Sequence, residues 1–182
     1  MTLEELKDFK CALNPDVEEF IKRKAIDFSK KSIAETFIVT TKYERKDIVV
    51  GYFTLTYKII KVQEDSFIGK TKRRVLRFAQ PSEDNNYYLI PLPLIGQIGK
   101  NYFNNYNDLI SGEQLLHLAF EKIKIVQNIV GGRFCFLECF ENKKLRNFYE
   151  ENDFKQFNKK KLKQNDKSDE YLVQMMIDLS NY

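Results

Sequence analysis

The sequence is short of the residues that mark metal, redox and disulfide chemistry. Its 182 residues include no tryptophan, one histidine and three cysteines. Cys11, Cys135 and Cys139 are odd in number and lack Cys-x-x-Cys spacing, so we expect reduced, buried thiols rather than a disulfide framework. His117 stands alone in an apolar helical run, where a histidine that serves packing is far commoner than a catalytic base or a ligand. We therefore expect no metal site.

Long apolar runs are also missing, since no stretch approaches the about 20 residues that a membrane-spanning helix needs. The N-terminal MTLEELKDFK mixes acidic and basic residues, unlike a signal peptide. We expect a cytoplasmic protein without membrane contact. A single domain over residues 1–182 suits this length, and a composition of 43 % hydrophobic and 31 % charged residues is ordinary for one.

Positive charge is the one uneven feature of the composition. The formal net charge is +4, and basic residues concentrate in two runs, at residues 70–77 and 159–163. Solvated loops are the commoner explanation of such short runs. The alternative is an electrostatic footprint for an anionic partner, such as RNA or the phosphates of a cofactor.

In the first half, Asn14-Pro15-Asp16 predicts a helix start, with a capping asparagine, proline at the first helical position and an acid in the first turn. Apolar spacing extends this helix to about Lys30. Residues 36–41 and 47–61 are rich in β-branched and aromatic residues and predict a hairpin. Residues 63–88 are polar and predict an insertion within the domain, with a short helix over 73–79 and a turn at 81–84.

The second half begins with a predicted strand at 94–100, where Gly96 and Gly99 indicate a bulge or a close approach by something else. Ser111 and Gln114 have capping-box spacing, which predicts a helix from about residue 111 to about Val126. A helix start after a glycine-containing loop suits a pyrophosphate, because free amides and the positive end of the helix dipole meet there. Two glycines at 131–132 end the helix connection.

The last part contains a buried strand at 133–140, RFCFLECF, apolar except for Glu138. Asn142 is placed to cap the next helix. The apolar face of that helix carries Leu145, Phe148, Tyr149 and Asn152, and Asp153 can take the left-handed conformation that ends it. Phe157 and residues 171–179 predict a final hairpin, joined by the basic, polar loop 159–170.

This order resembles the closing segment of the GNAT acyltransferases, in which an asparagine follows the fifth strand and an aromatic-tyrosine pair sits on the next helix. Asn142, Phe148 and Tyr149 match that pattern, and Asp153 stands in place of the usual glycine. The first half, FKCALNPDVEEFIKRKA followed by TFIVTT and VVGYFTL, resembles the branch that holds bacterial toxin-type acetyltransferases and their uncharacterised relatives. The resemblance implies an α/β (α+β) fold with a mixed, mostly antiparallel central sheet of six to seven strands, flanked by about four helices.

The resemblance also implies a function. It is that of an N-acetyltransferase, with acetyl-CoA as co-substrate, a primary amine as acceptor and no metal. An aminoacyl-tRNA amine as acceptor, an antitoxin as partner and a homodimer all fit the toxin branch. Tyr149 would be the catalytic acid that protonates the departing thiolate, and its alternative is a core tyrosine whose hydroxyl bonds to backbone. Acetyl-CoA would lie between strands 94–100 and 133–140. The residues expected to hold it are Gln97, Ile98, Gly99, Ile110, Ser111, Gly112, Glu113, Gln114, Asn142 and Phe148.

The chain departs from the family in the phosphate loop. The family reads Gln/Arg-x-x-Gly-x-Gly/Ala before the helix, whereas residues 107–112 here retain only Gly112, and Glu113 would repel a phosphate. This departure favours a second hypothesis, a GNAT-fold protein that acts as a non-catalytic binding module. No general base stands out; Glu138 is a candidate, and a water relay would leave no trace in the sequence.

Overall fold

The computed structural model describes residues 6–67, 69–83, 87–161 and 171–182, and there the chain forms seven strands and five α-helices. Parts of two predicted features, the turn at 81–84 and the loop 159–170, lie outside the described residues at 84 and 162–170. The chain packs as two compact units. Unit 1 comprises Met1–Thr56 and Ile95–Ile123, and unit 2 comprises Tyr57–Leu94 and Lys124–Tyr182.

Unit 1 opens with two α-helices around a π-helical turn: α1 is Pro15–Glu19, the π turn is Phe20–Lys24 and α2 is Ala25–Lys30. The predicted start is confirmed, because Asn14 Oδ1 accepts the Asp16 amide at 3.1 Å and proline follows the cap. The predicted end at Lys30 is confirmed as well. The apolar spacing did not predict the π turn.

The predicted hairpin is confirmed by the antiparallel pair β1 (Glu35–Tyr43) and β2 (Lys46–Val62). Glu44 and Arg45 both take positive φ, 47° and 64°, as a two-residue type I′ turn demands. The register shifts between Val39 and Thr40, where the pairing passes over Val50, so the bulge lies in β2.

The polar stretch predicted as an insertion is structured. It holds a 3₁₀ turn at Glu64–Ser66, α3 at Gly69–Leu76 and the short strand β3 at Gln80–Pro81. The helix predicted over 73–79 is therefore wrong in its bounds. The amides of Phe78 and Ala79 turn back onto the carbonyls of Val75 and Leu76, at 3.0 and 3.3 Å, and this tight turn ends the helical run early.

β4 (Tyr88–Lys100) leads through a 3₁₀ segment, Phe103–Leu109, to α4 (Gly112–Val130). The predicted start of this helix is confirmed, but the predicted end near Val126 is wrong. The helix continues to Val130, and Gly131, with a φ of 82°, ends it. Gln127 Nε2 also donates to the Phe134 carbonyl at 3.2 Å, which ties the last turn to the following strand.

The remaining elements are β5 (Phe134–Phe140), α5 (Lys143–Glu151), β6 (Lys155–Lys161) and β7 (Tyr171–Asp178). The sheet order is β1-β2-β4-β5-β7-β6, with β3 paired to β4. The pairs β1–β2, β3–β4, β5–β7 and β6–β7 are antiparallel. β5 thus lies inside the sheet, as its apolar sequence predicted, and the mixed, mostly antiparallel α+β class is confirmed, with one helix more than expected.

Each unit has an apolar core of its own. In unit 1, Phe9, Ile21 and Tyr52 are at most 1 % exposed, and the Tyr52 hydroxyl donates to the Val17 carbonyl at 2.6 Å. In unit 2, Val75 and Phe136 are fully enclosed, so the stretch that holds α3 contributes to this core. No helix in the described ranges is long and apolar enough to cross a membrane.

Candidate functional site

The residues that the family resemblance implied fall into two groups, one in each unit. In unit 2 they lie on α5 and its cap. Asn142 Oδ1 accepts the amides of Lys144 and Leu145, at 2.9 and 3.3 Å, which confirms the predicted cap. At the other end Asp153 takes φ 65°, which confirms the predicted left-handed helix end. The Asn142 side chain is therefore engaged in starting the helix.

Tyr149 is the buried residue of α5, at 5 % exposure. Its ring packs edge-on against Phe148 and Phe154, with centroid separations of 5.2 and 5.5 Å. Phe154 also donates its amide to the Tyr149 carbonyl at 3.0 Å, so the turn after α5 closes over this ring. The aromatic-tyrosine pair is thus held in a fixed aromatic cluster.

The Tyr149 hydroxyl has no hydrogen-bond partner in the part of the chain that the structure describes. Buried tyrosines usually pair their hydroxyl, as Tyr52 does. Burial, and secondarily the nearby Cys139, raises the pKa of the Tyr149 phenol above its ordinary value of 10.0. The phenol therefore keeps its proton at neutral pH and offers a donor that no described residue uses.

The three cysteines are unsuited to act as nucleophiles. All three are buried free thiols, as predicted. Burial raises the pKa of Cys139 to about 11, although Arg146 opposes the shift, and burial likewise raises the pKa of Cys11 and Cys135. Because the thiolate is the reactive form, the environment activates none of the three as a nucleophile.

In unit 1 the predicted capping box is present at the start of α4. The Gln114 amide donates to Ser111 Oγ at 3.0 Å, and the Ser111 amide donates to Gln114 Oε1 at 2.8 Å. Two of the amides expected to bind a pyrophosphate are therefore already engaged. The amides of Gly112 and Glu113 have no partner among the described residues, and they stand at the positive end of a 19-residue helix.

A cleft of about 760 Å³ opens beside this helix start, between β1, β2 and α4. Ile110, Ser111, Glu113 and Gln114 line it, together with His117. The carboxylates of Glu113 and Glu121 also face it and oppose the binding of an anion within the cleft.

Lys100 and Asn101 fix the loop before α4, and the sequence analysis missed both. Lys100 Nζ donates to the carbonyls of Asn107 and Ile110, at 2.9 and 3.2 Å, which turns these acceptors toward the lysine. Asn101 is 3 % exposed; it accepts the Lys10 amide and donates to the Val49 carbonyl. A lysine and an asparagine directly after a strand carry no signature of such a role, so only the fold reveals it.

Gln97, Ile98 and Gly99 lie half-buried at the end of β4. A Cβ placed on Gly99 would meet Val17 Cγ1 at 2.5 Å, whereas one on Gly96 would meet Thr54 Oγ1 at 3.1 Å. The close approach that the glycines indicated is therefore made, at Gly99, by a side chain of α1.

Neither a protein-family model nor a curated protein sequence matches this chain. Solved structures do match. One described as a bacterial toxin is 17 % identical, with a TM-score of 0.66, and covers 100 % of this chain and 87 % of that one. AtaT complexed with acetyl-methionyl-tRNAfMet is 16 % identical, with a TM-score of 0.64 and coverages of 92 % and 85 %. A tyrosine-to-phenylalanine mutant of AtaT, bound to the C-terminus of the antitoxin AtaR and acetyl-CoA, is 16 % identical, with a TM-score of 0.61 and coverages of 100 % and 91 %.

These likenesses show the fold of the chain. It is the GNAT fold, as the sequence resemblance predicted.

Proposed function

We propose that this chain is an acetyl-CoA-dependent N-acetyltransferase that acetylates the primary amine of an aminoacyl-tRNA. Its fold is that of AtaT, which is seen with an acetylated aminoacyl-tRNA and, as a mutant, with acetyl-CoA. A cytoplasmic site of action, an antitoxin partner comparable to AtaR and a homodimer belong to the same proposal.

The observation that carries the proposal is that the Tyr149 hydroxyl has no hydrogen-bond partner among the described residues. A tyrosine kept only for packing would bond its hydroxyl to backbone, as Tyr52 bonds to Val17. No described residue bonds the Tyr149 hydroxyl, and it is not one of the enclosed, unpaired polar atoms of the described residues, so it is open to solvent or to a bound molecule. The similar AtaT structure with acetyl-CoA carries a tyrosine-to-phenylalanine change, which is consistent with a role for a tyrosine in that protein.

In the proposed reaction, a bond forms between the acceptor nitrogen and the acetyl carbonyl carbon, and the carbon–sulfur bond breaks. The nitrogen loses a proton and the sulfur gains one. Tyr149 donates to the sulfur as negative charge develops there. A backbone amide near Ile98 and Gly99 polarises the carbonyl oxygen. The amides of Gly112 and Glu113 bind the pyrophosphate, with Lys100 holding the loop carbonyls away from it.

The distribution of charge supports an RNA acceptor. The sequence of unit 2 contains 18 lysines and arginines against 13 acidic residues, whereas unit 1 contains 12 against 13. Within unit 2, exposed basic side chains include Arg73 and Arg77 at α3 and Lys159 and Lys160 on β6. Such a one-sided excess attracts a polyanion.

A second candidate function has its own support. The capping box occupies two of the expected phosphate donors, and Glu113 and Glu121 add negative charge to the adjoining cleft. These features favour a GNAT-fold protein that has lost efficient cofactor binding and serves as a binding module. Titration calorimetry with acetyl-CoA separates the two candidates, since the module predicts no heat at millimolar concentration.

The test of catalysis is Tyr149→Phe. Turnover with acetyl-CoA and bulk aminoacyl-tRNA should fall by about 10²-fold or more, the usual scale for losing a positioned acid. Acetyl-CoA affinity should hold, because the hydroxyl acts in the transition state. The melting temperature should change little, since the described structure gives this hydroxyl no hydrogen bond to lose.

Tyr52→Phe is the matched control. It removes a hydroxyl that is bonded to the Val17 carbonyl, so it should cost about 1 kcal/mol of stability and leave turnover per folded molecule unchanged. A Tyr149→Phe protein that is fully active, or that loses only stability, would remove Tyr149 from the mechanism.

A further inference from the structure

Glu138 is the polar interruption of β5. It shares a face of the strand with Phe134, Phe136 and Phe140, because side chains alternate along a strand. Phe134 and Phe136 are covered by the unit 2 core, at 2 % and 0 % exposure, whereas Phe140 is 37 % exposed. Glu138, with a side chain 17 % exposed, therefore stands where the covered part of this face ends and the open part begins.

A polar row across three strands fixes this carboxylate. The register pairs Glu138 with Gln174 on β7, and Gln174 with Asn158 on β6. Gln174 Nε2 donates to Glu138 Oε1 at 2.6 Å, and Asn158 Nδ2 donates to Gln174 Oε1 at 2.9 Å. Gln174 is only 7 % exposed, so a buried amide holds the carboxylate in one orientation.

One carboxylate oxygen of Glu138 accepts no hydrogen bond from any described residue. The hydrogen bonds of the described residues engage Oε1 alone, and the nearest cation, Lys58 Nζ, lies 3.9 Å from the same oxygen. Oε2 is not one of the enclosed, unpaired polar atoms of the described residues, so solvent reaches it. Oε2 is thus free to accept a donor that comes from outside the chain.

The face around Glu138 suits the end of an aminoacylated RNA. The next row along it is Phe140–Leu172–Lys160, again in register. It presents an exposed aromatic ring, on which a base can stack, and an exposed lysine, which can meet a phosphate.

We infer that Glu138 is the residue that receives the acceptor amine, an inference that rests on the proposed function. Its carboxylate accepts a hydrogen bond from the amine and takes the proton that nitrogen loses when it bonds to the carbonyl carbon. Tyr149 gives its hydroxyl proton to the departing sulfur. Proton exchange with water then returns Glu138 to a carboxylate and Tyr149 to a phenol.

The test is Glu138→Gln, which keeps the size of the side chain and an oxygen for Gln174 but removes the charge and the base. With radiolabelled acetyl-CoA and bulk aminoacyl-tRNA, single-turnover rates should fall by about 10²-fold or more. Calorimetric affinity for acetyl-CoA and the melting temperature should match the wild type.

Gln174→Met should loosen the carboxylate and give a smaller loss, about 10-fold, together with a higher KM for aminoacyl-tRNA. The control is Glu141→Gln, an exposed acid paired with Lys159, which should leave the rate unchanged.

Each outcome decides the matter. Full activity of Glu138→Gln, or a loss explained by unfolding or by failure to bind acetyl-CoA, overturns the role of Glu138 and leaves the proposed function standing. A wild-type protein that binds acetyl-CoA but acetylates no aminoacyl-tRNA removes the acceptor assigned here. A wild-type protein that binds no acetyl-CoA removes the proposed function, and the inference falls with it.

Discussion

Gly99→Ala tests why β4 carries a glycine at its end. The added Cβ would lie 2.5 Å from Val17 Cγ1, about 0.9 Å closer than the 3.4 Å at which ordinary contact begins. Val17 is 3 % exposed and β-branched, so it can neither swing into solvent nor change rotamer freely within α1. Overpacking of this kind typically lowers the free energy of unfolding by about 1–3 kcal/mol. Alanine also reduces the conformational entropy of the unfolded chain, which offsets about 0.4–1 kcal/mol of that loss. We expect a net loss of about 1–2 kcal/mol.

The assay is thermal and urea unfolding of four proteins: wild type, Gly99→Ala, Val17→Ala and the double variant. For a chain of this size the loss corresponds to a fall in Tm of about 3–6 °C. Val17→Ala alone should lower the free energy of unfolding by about 2 kcal/mol, because it removes two buried methyl groups. In the double variant the new methyl occupies the vacated space, so the two changes should be coupled by about 1–2 kcal/mol. Gly96→Ala, facing Thr54 Oγ1 at 3.1 Å, is the control and should stay within about 0.5 kcal/mol.

A different result would refute this reasoning. If Gly99→Ala keeps its stability but loses acetyl-CoA affinity, the glycine is present for the approach of the co-substrate, as the family resemblance implied, and not for Val17. Additive effects in the double variant would show that the two residues do not compete for space.

Three further outcomes are expected. Asn142→Ala should lower stability by about 1 kcal/mol through loss of the α5 cap, with acetyl-CoA affinity unchanged in calorimetry; a selective loss of affinity would return Asn142 to the cofactor site. Gly112→Val should weaken acetyl-CoA binding at unchanged Tm, since a side chain obstructs the free amides of α4; equal affinity would place the phosphates elsewhere. Burial alone would raise the pKa of Asp178, but hydrogen bonds from Arg133 and Ser180 outweigh it and lower the pKa below its ordinary 3.8. Asp178 therefore stabilises the fold above about pH 3.8 and progressively less as pH falls below it, so the Tm difference from Asp178→Asn should be largest at neutral pH and shrink in acid.

Features that depend on neighbours in the sequence were predictable. Asn14, Asn142 and the Ser111–Gln114 pair cap helices through bonds that span two or three residues, and Asp153 needed only its tolerance of positive φ. The true end of α4 was missed because apolar spacing lapsed near Val126, although the chain does not leave the helix until a glycine permits it.

The site was predictable only in part, because its key facts depend on distant residues. The burial of Tyr149 follows from helical spacing, but the absence of a partner for its hydroxyl requires knowledge of every surrounding group. The sequence showed Glu138 as the one charged residue between apolar residues of a strand. Its hydrogen bond to Gln174, however, depends on the register in which β5 and β7 pair. The role of Lys100 depends on the path of the loop that follows it.

The π turn at Phe20–Lys24 sets the rotational phase of the N-terminal helices. In a regular α-helix, residues eight apart are rotated by about 80° from one another, whereas residues seven apart differ by only about 20°. Val17 and Ala25 are eight apart, yet both are 3 % exposed, because the wider turn absorbs one residue and returns them to the same side. Deleting a single residue from this segment would restore the regular helix without moving Ala25 off the core. Keeping all five residues in α-helical geometry would instead rotate α2 outward and separate Phe28 from Phe20, whose rings now meet at 5.2 Å.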